Sequence, residues 1–134
     1  MKRFLIICCV LSVALSAVAL GTTFTRTVQC VNTYDYVKSQ TSEEKESDDH
    51  RIYVYYNAQG CSNSYTNHFR GYAIDDEGDA LCGSKWVTPG KLIPIQGAGF
   101  TENYRYYVTM RGNTKYYENE KLSTIVLAGY FQVN

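Results

Sequence analysis

Apolar and polar residues alternate with a period of two along several short runs of this chain, which is the pattern of β-strands. The clearest run covers residues 51–56. Its two sides carry apolar or aromatic residues in alternation: Ile52, Val54 and Tyr56 on one, Tyr53 and Tyr55 on the other. Because both sides suit a covered surface, the run predicts a central strand of a sheet.

An earlier run, residues 22–31, alternates in the same way but has one mostly polar side. Phe24, Arg26, Val28 and Cys30 share one side, and threonines with a glutamine occupy most of the other. A strand whose second face meets solvent has this pattern.

The last third of the chain contains two further β-rich runs, residues 104–110 and 123–133, joined by a polar connection. Tyrosine, valine, isoleucine and threonine favour a pleated, half-buried surface. We expect these two runs to pair as an antiparallel ribbon on which the earlier strands fold.

Turn signals divide the middle of the chain into short segments. Residues 75–79 indicate a hairpin turn, and Thr88-Pro89-Gly90 indicates another. Pro94 cannot donate a backbone hydrogen bond, so its strand is expected at a sheet edge or a bulge. About six to eight short strands without a long amphipathic helix predict an all-β fold, a small antiparallel β-sandwich or barrel.

Residues 38–50 lack large apolar side chains and are rich in serine and acidic residues. Such a segment cannot bury enough surface to offset its ordering entropy, so we expect a mobile acidic loop. We therefore divide the chain into a leader (1–21), an N-terminal strand with this loop (22–50) and a compact β domain (51–134).

The first 21 residues have the layout of a secretory signal peptide. Lys2 and Arg3 precede an apolar run, and small residues close it, with cleavage expected after Ala19 or Gly21. The alternative is an uncleaved membrane anchor, for which the run is slightly short of the roughly 20 residues needed. We expect a secreted, extracellular protein that meets a membrane only through its leader.

Charge composition excludes one class of partner. The chain has 13 basic and 13 acidic residues, and loss of the leader leaves the mature domain slightly acidic. Nucleic-acid binding requires lysine and arginine clustered on one face, and the sequence shows no such cluster.

Three cysteines follow the leader: Cys30, Cys61 and Cys82. Export favours disulfides, but an odd number leaves one thiol unpaired. A Cys61–Cys82 bond would close a loop of about twenty residues and stabilise the fold by on the order of 3 kcal/mol. The alternative is a bond from Cys30 to either of the others, which would pin the N-terminal segment to the body.

The sequence carries no signature of catalysis or metal binding. His50 and His68 are the only histidines, and neither combines with a cysteine at the spacing of a zinc site or within a nucleophile motif. The acidic segments match no calcium loop. We expect no cofactor and no metal, and we interpret the protein as non-enzymatic.

Tyrosine is the unusual feature of the composition, with 13 residues in 134. One interpretation is that these side chains stabilise the sheet as cross-strand pairs. The other is a binding face, because tyrosine offers a large contact area at low entropic cost. The candidate binding residues are Tyr53, Tyr55, Tyr104, Tyr106 and Trp86. Trp86, the only tryptophan, is also expected to anchor the core near the Pro89 turn.

Residues 86–132 resemble a group of small secreted β-proteins of Gram-positive bacteria, some of them associated with bacteriocin (lactococcin-like) systems. The shared features are Trp86, the Gly-Ala-Gly stretch at 97–99, residues 115–119 and the closing residues 127–131. Phe131 stands where the group has tryptophan. The resemblance implies a bacteriocin-like or envelope-binding role.

We expect a secreted, non-enzymatic β domain that binds a cell-envelope or protein partner, for example a glycan or a lipid-linked precursor. The alternative is a self-associating structural or surface protein that uses the odd cysteine or the edge marked by Pro94. A small hydrolase is a third and remote possibility, since it would need a cleft that holds His68 against a carboxylate or thiol.

Overall fold

The computed structural model describes residues 21–31 and 35–133, and these form β-strands and one short helix. The predicted leader lies outside the described residues, apart from Gly21. In chain order the elements are β1 (Thr22–Gln29), β2 (Val37–Lys38), β3 (Glu43–Glu44), β4 (Arg51–Gln59), β5 (Asn67–Ala73), β6 (Ala80–Val87), β7 (Ile93–Gln96), β8 (Arg105–Arg111), α1 (Lys115–Glu120) and β9 (Thr124–Gln132).

The strands form two antiparallel sheets that pack face to face. This confirms the predicted all-β fold and, of the two architectures predicted, corresponds to the sandwich and not the barrel. The first sheet has the order β1-β9-β4-β7, and the second has the order β2-β8-β5-β6 with β3 also paired to β8. The alternation found in the sequence decides which side chains point between the sheets, because successive residues of a strand face opposite sides.

Aromatic rings fill the centre of the sandwich and join the two sheets. The ring of Phe69 in β5 lies 4.9 Å from that of Tyr56 in β4 and 5.9 Å from that of Phe24 in β1, between ring centroids. The buried hydroxyl of Tyr56 donates to the Val87 carbonyl at 2.6 Å and accepts from Asn67. The only polar atom of this ring therefore keeps its hydrogen bonds inside the core.

The predictions for β1 and β4 are confirmed. β4 lies inside the first sheet between β9 and β7, with Ile52, Val54 and Tyr56 fully buried. Pro94 lies in β7, at the edge of the same sheet, as its missing N–H requires.

The predicted C-terminal ribbon is wrong. β8 belongs to the second sheet and pairs with β5, whereas β9 belongs to the first and pairs with β1 and β4. The connection between them contains α1 and crosses from one sheet to the other at the end of the sandwich. Composition showed that both runs are strands, but it carried no information about their partners.

The segment from 38 to 50 is also more structured than the sequence suggested. It contributes β2 and β3 to the second sheet, and Lys45 is completely buried. The Lys45 ammonium donates to Asp49, to Ser47 Oγ at 3.2 Å and to the carbonyls of Arg51 and Val133. Polar contacts, not apolar burial, hold this segment on the body.

Both open sides of the sandwich are closed by local contacts. On one side the Gln40 amide donates to the Thr25 carbonyl at 2.7 Å and accepts from the Thr25 N–H, so it pairs with β1 as a strand would. On the other side β6 and β7 approach closely, and Lys85 Nζ donates to the Pro94 carbonyl at 3.5 Å.

Candidate functional site

The outer face of the second sheet carries a cluster of aromatic and basic side chains, which we call the cationic face. Its members are Tyr36, His68, Arg70, Trp86 and Arg111. Trp86 is 43% exposed, and the other four are half-buried.

Strand register brings these residues together. His68 in β5 pairs with Trp86 in β6 on one side and with Arg111 in β8 on the other, so the three form one row across the sheet. Arg70 follows His68 by two positions and therefore projects from the same face. Tyr36, just before β2, completes the cluster.

The Tyr36 ring lies against both guanidinium groups. The Arg70 Cζ is 3.9 Å from its centroid and the Arg111 Cζ is 5.6 Å away, while Arg111 also lies 4.9 Å from the Trp86 ring. These are cation–π distances. The stacking gives both arginines a fixed orientation while leaving them partly accessible.

A short chain of hydrogen bonds runs through the Tyr36 hydroxyl. Arg111 Nε donates to this oxygen at 2.9 Å, and the oxygen lies 2.6 Å from His68 Nδ1. Burial, then the charges of Arg111 and Arg70, lower the pKa of His68 below its usual 6.5. His68 is therefore neutral at pH 7, and we assign its proton to Nε2 so that Nδ1 accepts from Tyr36.

Among the described residues, no ion pair neutralises the basic groups of this face. Within the described ranges, ion pairs join Lys45 and Arg51 to Asp49, and His50 to Asp48, so none involves the cationic face. Lys38 extends the positive surface, with its Nζ 3.9 Å from the Tyr107 ring centroid. Partly exposed guanidinium groups in fixed positions suit carboxylate or phosphate groups, which they bind through paired hydrogen bonds.

The structure separates the five residues that the sequence suggested as a binding surface. Tyr53 and Tyr55 lie on the outer face of the first sheet, where Tyr55 stacks on Tyr130 at 5.3 Å between ring centroids. This supports the cross-strand interpretation for Tyr55, whereas Tyr53 lies opposite Gln132 and Pro94. Trp86 lies on the second sheet, and its exposure shows that the expected core anchor is wrong.

Tyr106 and Tyr104 are on neither outer face. Tyr106 is completely buried, and its hydroxyl donates to the Gly99 carbonyl at 3.0 Å. Tyr104 is 49% exposed in the loop before β8, where it lines a shallow groove of about 270 Å³ with Leu81 and Cys82. The structure thus leaves only Trp86 of the original five in the candidate site.

Two of the remaining members of the face had a signal in the sequence. His68 and Arg70 alternate with Phe69 and Gly71 along β5, which predicts a polar outer side. The convergence of Tyr36 and Arg111 on this row could not be read from the sequence, because it depends on the pairing of β5 with β8.

The three described cysteines are free thiols. Cys82 lies next to Gly83 in β6, and Gly83 pairs with Gly71 in β5. Gly71 faces the Ile52 side chain across the sandwich, so Cys82 lies at the level of Ile52, near the start of β4. β4 extends about 23 Å from Ile52 to its last residue, Gln59, and Cys61 lies beyond that end. A disulfide requires Cα atoms within about 7 Å. The predicted Cys61–Cys82 bond is therefore not formed and does not fit this fold.

Two features are absent from residues 21–31 and 35–133. No group of three or more His, Cys, Asp or Glu side chains there could hold a metal ion. None of the helices there is long and apolar enough to cross a membrane.

Comparisons of the chain with protein-family models, with curated proteins and with solved structures give no match.

Proposed function

We propose that this protein is an exported, non-enzymatic binding domain whose cationic face binds an acidic polymer of a cell envelope. The observation that carries the proposal is the pair Arg70 and Arg111, both held against the Tyr36 ring on an accessible sheet face. Neither arginine forms an ion pair with another described residue. Polysaccharides that bear carboxylate or phosphate groups supply the missing partner chemistry.

The preorganised geometry supports binding because less side-chain entropy is lost when a ligand arrives. The stacked guanidinium groups already have their orientation, so each can meet an anionic group with paired hydrogen bonds. Tryptophan, tyrosine and arginine are also the residues that dominate binding energy in protein surfaces. Trp86 adds an exposed ring at the margin of the same face.

The proposal requires no chemical step on this face. The Nδ1 atom of His68 is engaged by the Tyr36 hydroxyl at 2.6 Å and is held beside two positive charges. A neutral histidine in this position orients Tyr36, and through it Arg111.

The resemblance of residues 86–132 to secreted Gram-positive proteins supports a role at a bacterial envelope.

Self-association through a strand edge is the weaker candidate. Gln40 occupies backbone groups of β1, and β7 with its Pro94 packs beside β6. An exposed edge with free N–H and C=O groups is what strand addition needs. The binding domain therefore remains our conclusion.

The test is retention on an immobilised acidic polysaccharide such as heparin, measured as the salt concentration that elutes the protein. We expect the double variant Arg70→Ser/Arg111→Ser to elute at clearly lower salt than the parent. The matched control Lys91→Ser/Lys115→Ser removes the same charge from exposed positions elsewhere. An equal decrease in the eluting salt concentration for both double variants would show a net-charge effect and contradict the proposal.

A second arm identifies the class of partner. The same proteins are passed over immobilised poly-glutamate, which presents carboxylates on a peptide. Retention on the polysaccharide alone supports the envelope polymer. Preferential retention on the peptide, lost in the Arg70/Arg111 variant, would replace it with an acidic protein partner.

A further inference from the structure

Two of the three described cysteines lie at the same end of the sandwich. β1 and β4 flank β9, with Gln29 opposite Thr124 and Gln59 opposite Val126. Cys30 follows Gln29 and donates its N–H to the Ser123 carbonyl at 2.8 Å, and Cys61 follows Gln59 by two residues. Two strands that flank a third are about 10 Å apart. The fold therefore brings Cys30 and Cys61 close together, although 30 residues separate them in sequence.

Both cysteines pack beneath α1. Cys30 is 1% exposed, and its Sγ lies against Gly112, just before the helix: a Cβ built on this glycine would be 2.6 Å away. Cys61 packs on the edge of the core, and the adjacent Ser62 N–H reaches Glu120 at the end of the helix, 3.4 Å from its carboxylate.

The electrostatics of this end agree with that placement. Burial and, to a smaller extent, the neighbouring Cys61 raise the pKa of Cys30 to about 11. Tyr116 of α1 is raised to a pKa of about 12, first by burial and then by a set of neighbours that includes both Cys61 and Cys30. The two thiols and the Tyr116 hydroxyl thus share one small region.

We propose that Cys30 and Cys61 form the disulfide of this protein when it is exposed to an oxidant of the glutathione disulfide class. By two successive thiol–disulfide exchanges one S–S bond forms in the protein and the S–S bond of one glutathione disulfide breaks, and the two electrons and two protons of the protein thiols pass to the two glutathione thiols that leave. The bond requires Cα atoms about 5–7 Å apart, so the turn at Gly60 moves a few ångströms toward β1. No heavy atom lies within 4 Å of the Cβ position of Gly60, so the space around this turn is open on that side.

The bond would have two consequences. It would fasten β1, and with it the N-terminal part of the domain, to the loop between β4 and β5. Of the three described cysteines it would leave only Cys82 as a thiol, in the groove with Leu81 and Tyr104 on the opposite end of the sandwich. Neither consequence depends on the function proposed for the cationic face.

Peptide mapping provides a direct test, because trypsin places each of the three described cysteines in a different peptide. Cys30 falls in residues 27–38, Cys61 in 52–70 and Cys82 in 71–85. The folded protein is treated with glutathione disulfide, alkylated, digested without reduction and analysed by mass spectrometry. We expect peptide 27–38 linked to 52–70, and peptide 71–85 alkylated. A 52–70 to 71–85 link, or alkylation of all three peptides, would overturn the proposal.

Serine variants and thermal unfolding give a second readout. Cys82→Ser is expected to keep the 27–38 to 52–70 link, whereas Cys61→Ser abolishes it. Oxidation should raise the Tm of the parent and of Cys82→Ser by roughly 10 °C and leave Cys61→Ser unchanged. A Tm increase that persists in Cys61→Ser would contradict the assignment even if mapping were incomplete.

Discussion

At the scale of single residues, His68 shows how a fold sets the charge of a side chain. Its ring is half-buried, contacts Trp86 at 5.0 Å between ring centroids and lies beside Arg70 and Arg111. Burial, and then the positive charges of Arg111 and Arg70, disfavour a positive imidazole and lower the pKa of His68. The neutral ring can therefore accept the Tyr36 hydrogen bond that links it to Arg111.

This environment predicts a pH dependence of stability. The pKa of His68 is about 6.5 in the unfolded chain and lower in the folded protein. Between these two pKa values the unfolded chain binds a proton that the folded protein does not. The free energy of unfolding should therefore decrease as the pH falls from about 6.5 through the lowered pKa. Urea unfolding at about pH 7.5 and about pH 5.5 measures the difference.

The two histidines provide a matched control for this prediction. His68→Gln should reduce the difference between the two pH values, whereas His50→Gln, at an exposed position, should retain it. If His68→Gln and the parent lose the same free energy on acidification, the assigned environment of His68 is wrong.

Lys45 is a second residue whose role only the structure reveals. Its ammonium is fully buried among Asp49, Ser47 and two backbone carbonyls. Burial alone would raise the pKa of Asp49, but the hydrogen bond and charge of Lys45 outweigh it, and the pKa lies below 3.8. In the sequence Lys45 lies among acidic residues and resembles an ordinary solvent-exposed lysine.

We predict that Lys45→Met destabilises the protein by about 3 kcal/mol, because it leaves buried acceptors without a donor. Lys91→Met, at an exposed position, should change the free energy of unfolding by less than about 0.5 kcal/mol. Chemical denaturation measures both. A loss for Lys45→Met no larger than for Lys91→Met would show that the segment around Lys45 is not held in this way.

At the scale of elements, strand existence was predictable and strand pairing was not. The period-two patterns of β1 and β4 indicate strands because half-buried and central strands each impose a recognisable alternation. The register of β8 against β5 brings Arg111 to His68, and this contact joins residues 43 positions apart in sequence. No local pattern specifies such a pairing, so the candidate site could be predicted only as scattered aromatic residues.

The edge of β1 permits a test of how the sandwich avoids strand addition. Gln40→Ala removes the amide that pairs with both backbone groups of Thr25. We expect the free energy of unfolding to decrease by about 1 kcal/mol and dimers to appear in sedimentation at high concentration. Gln96→Ala, an exposed glutamine on β7, should do neither. A Gln40→Ala protein that remains monomeric and fully stable would contradict the role given to this side chain.

At the scale of the whole molecule, the two outer faces differ in character. The first sheet presents β1 threonines, among them Thr23, Thr25 and Thr27, and the Tyr55–Tyr130 stack. The second presents Arg70, Arg111 and Lys38 among aromatic rings. The near-zero net charge of the sequence concealed this separation, because composition averages over both faces. The positive charges of the second face would attract acidic ligands to it.

The most direct test of this account uses Trp86, the only tryptophan in the chain, as a probe within the proposed binding surface. Its fluorescence is followed while an acidic polysaccharide is added at low and at high salt. We predict a saturable change in the parent at low salt, weakened at high salt and lost in Arg70→Ser/Arg111→Ser. A parent signal that stays constant while the polysaccharide binds would place the contact elsewhere and contradict the account.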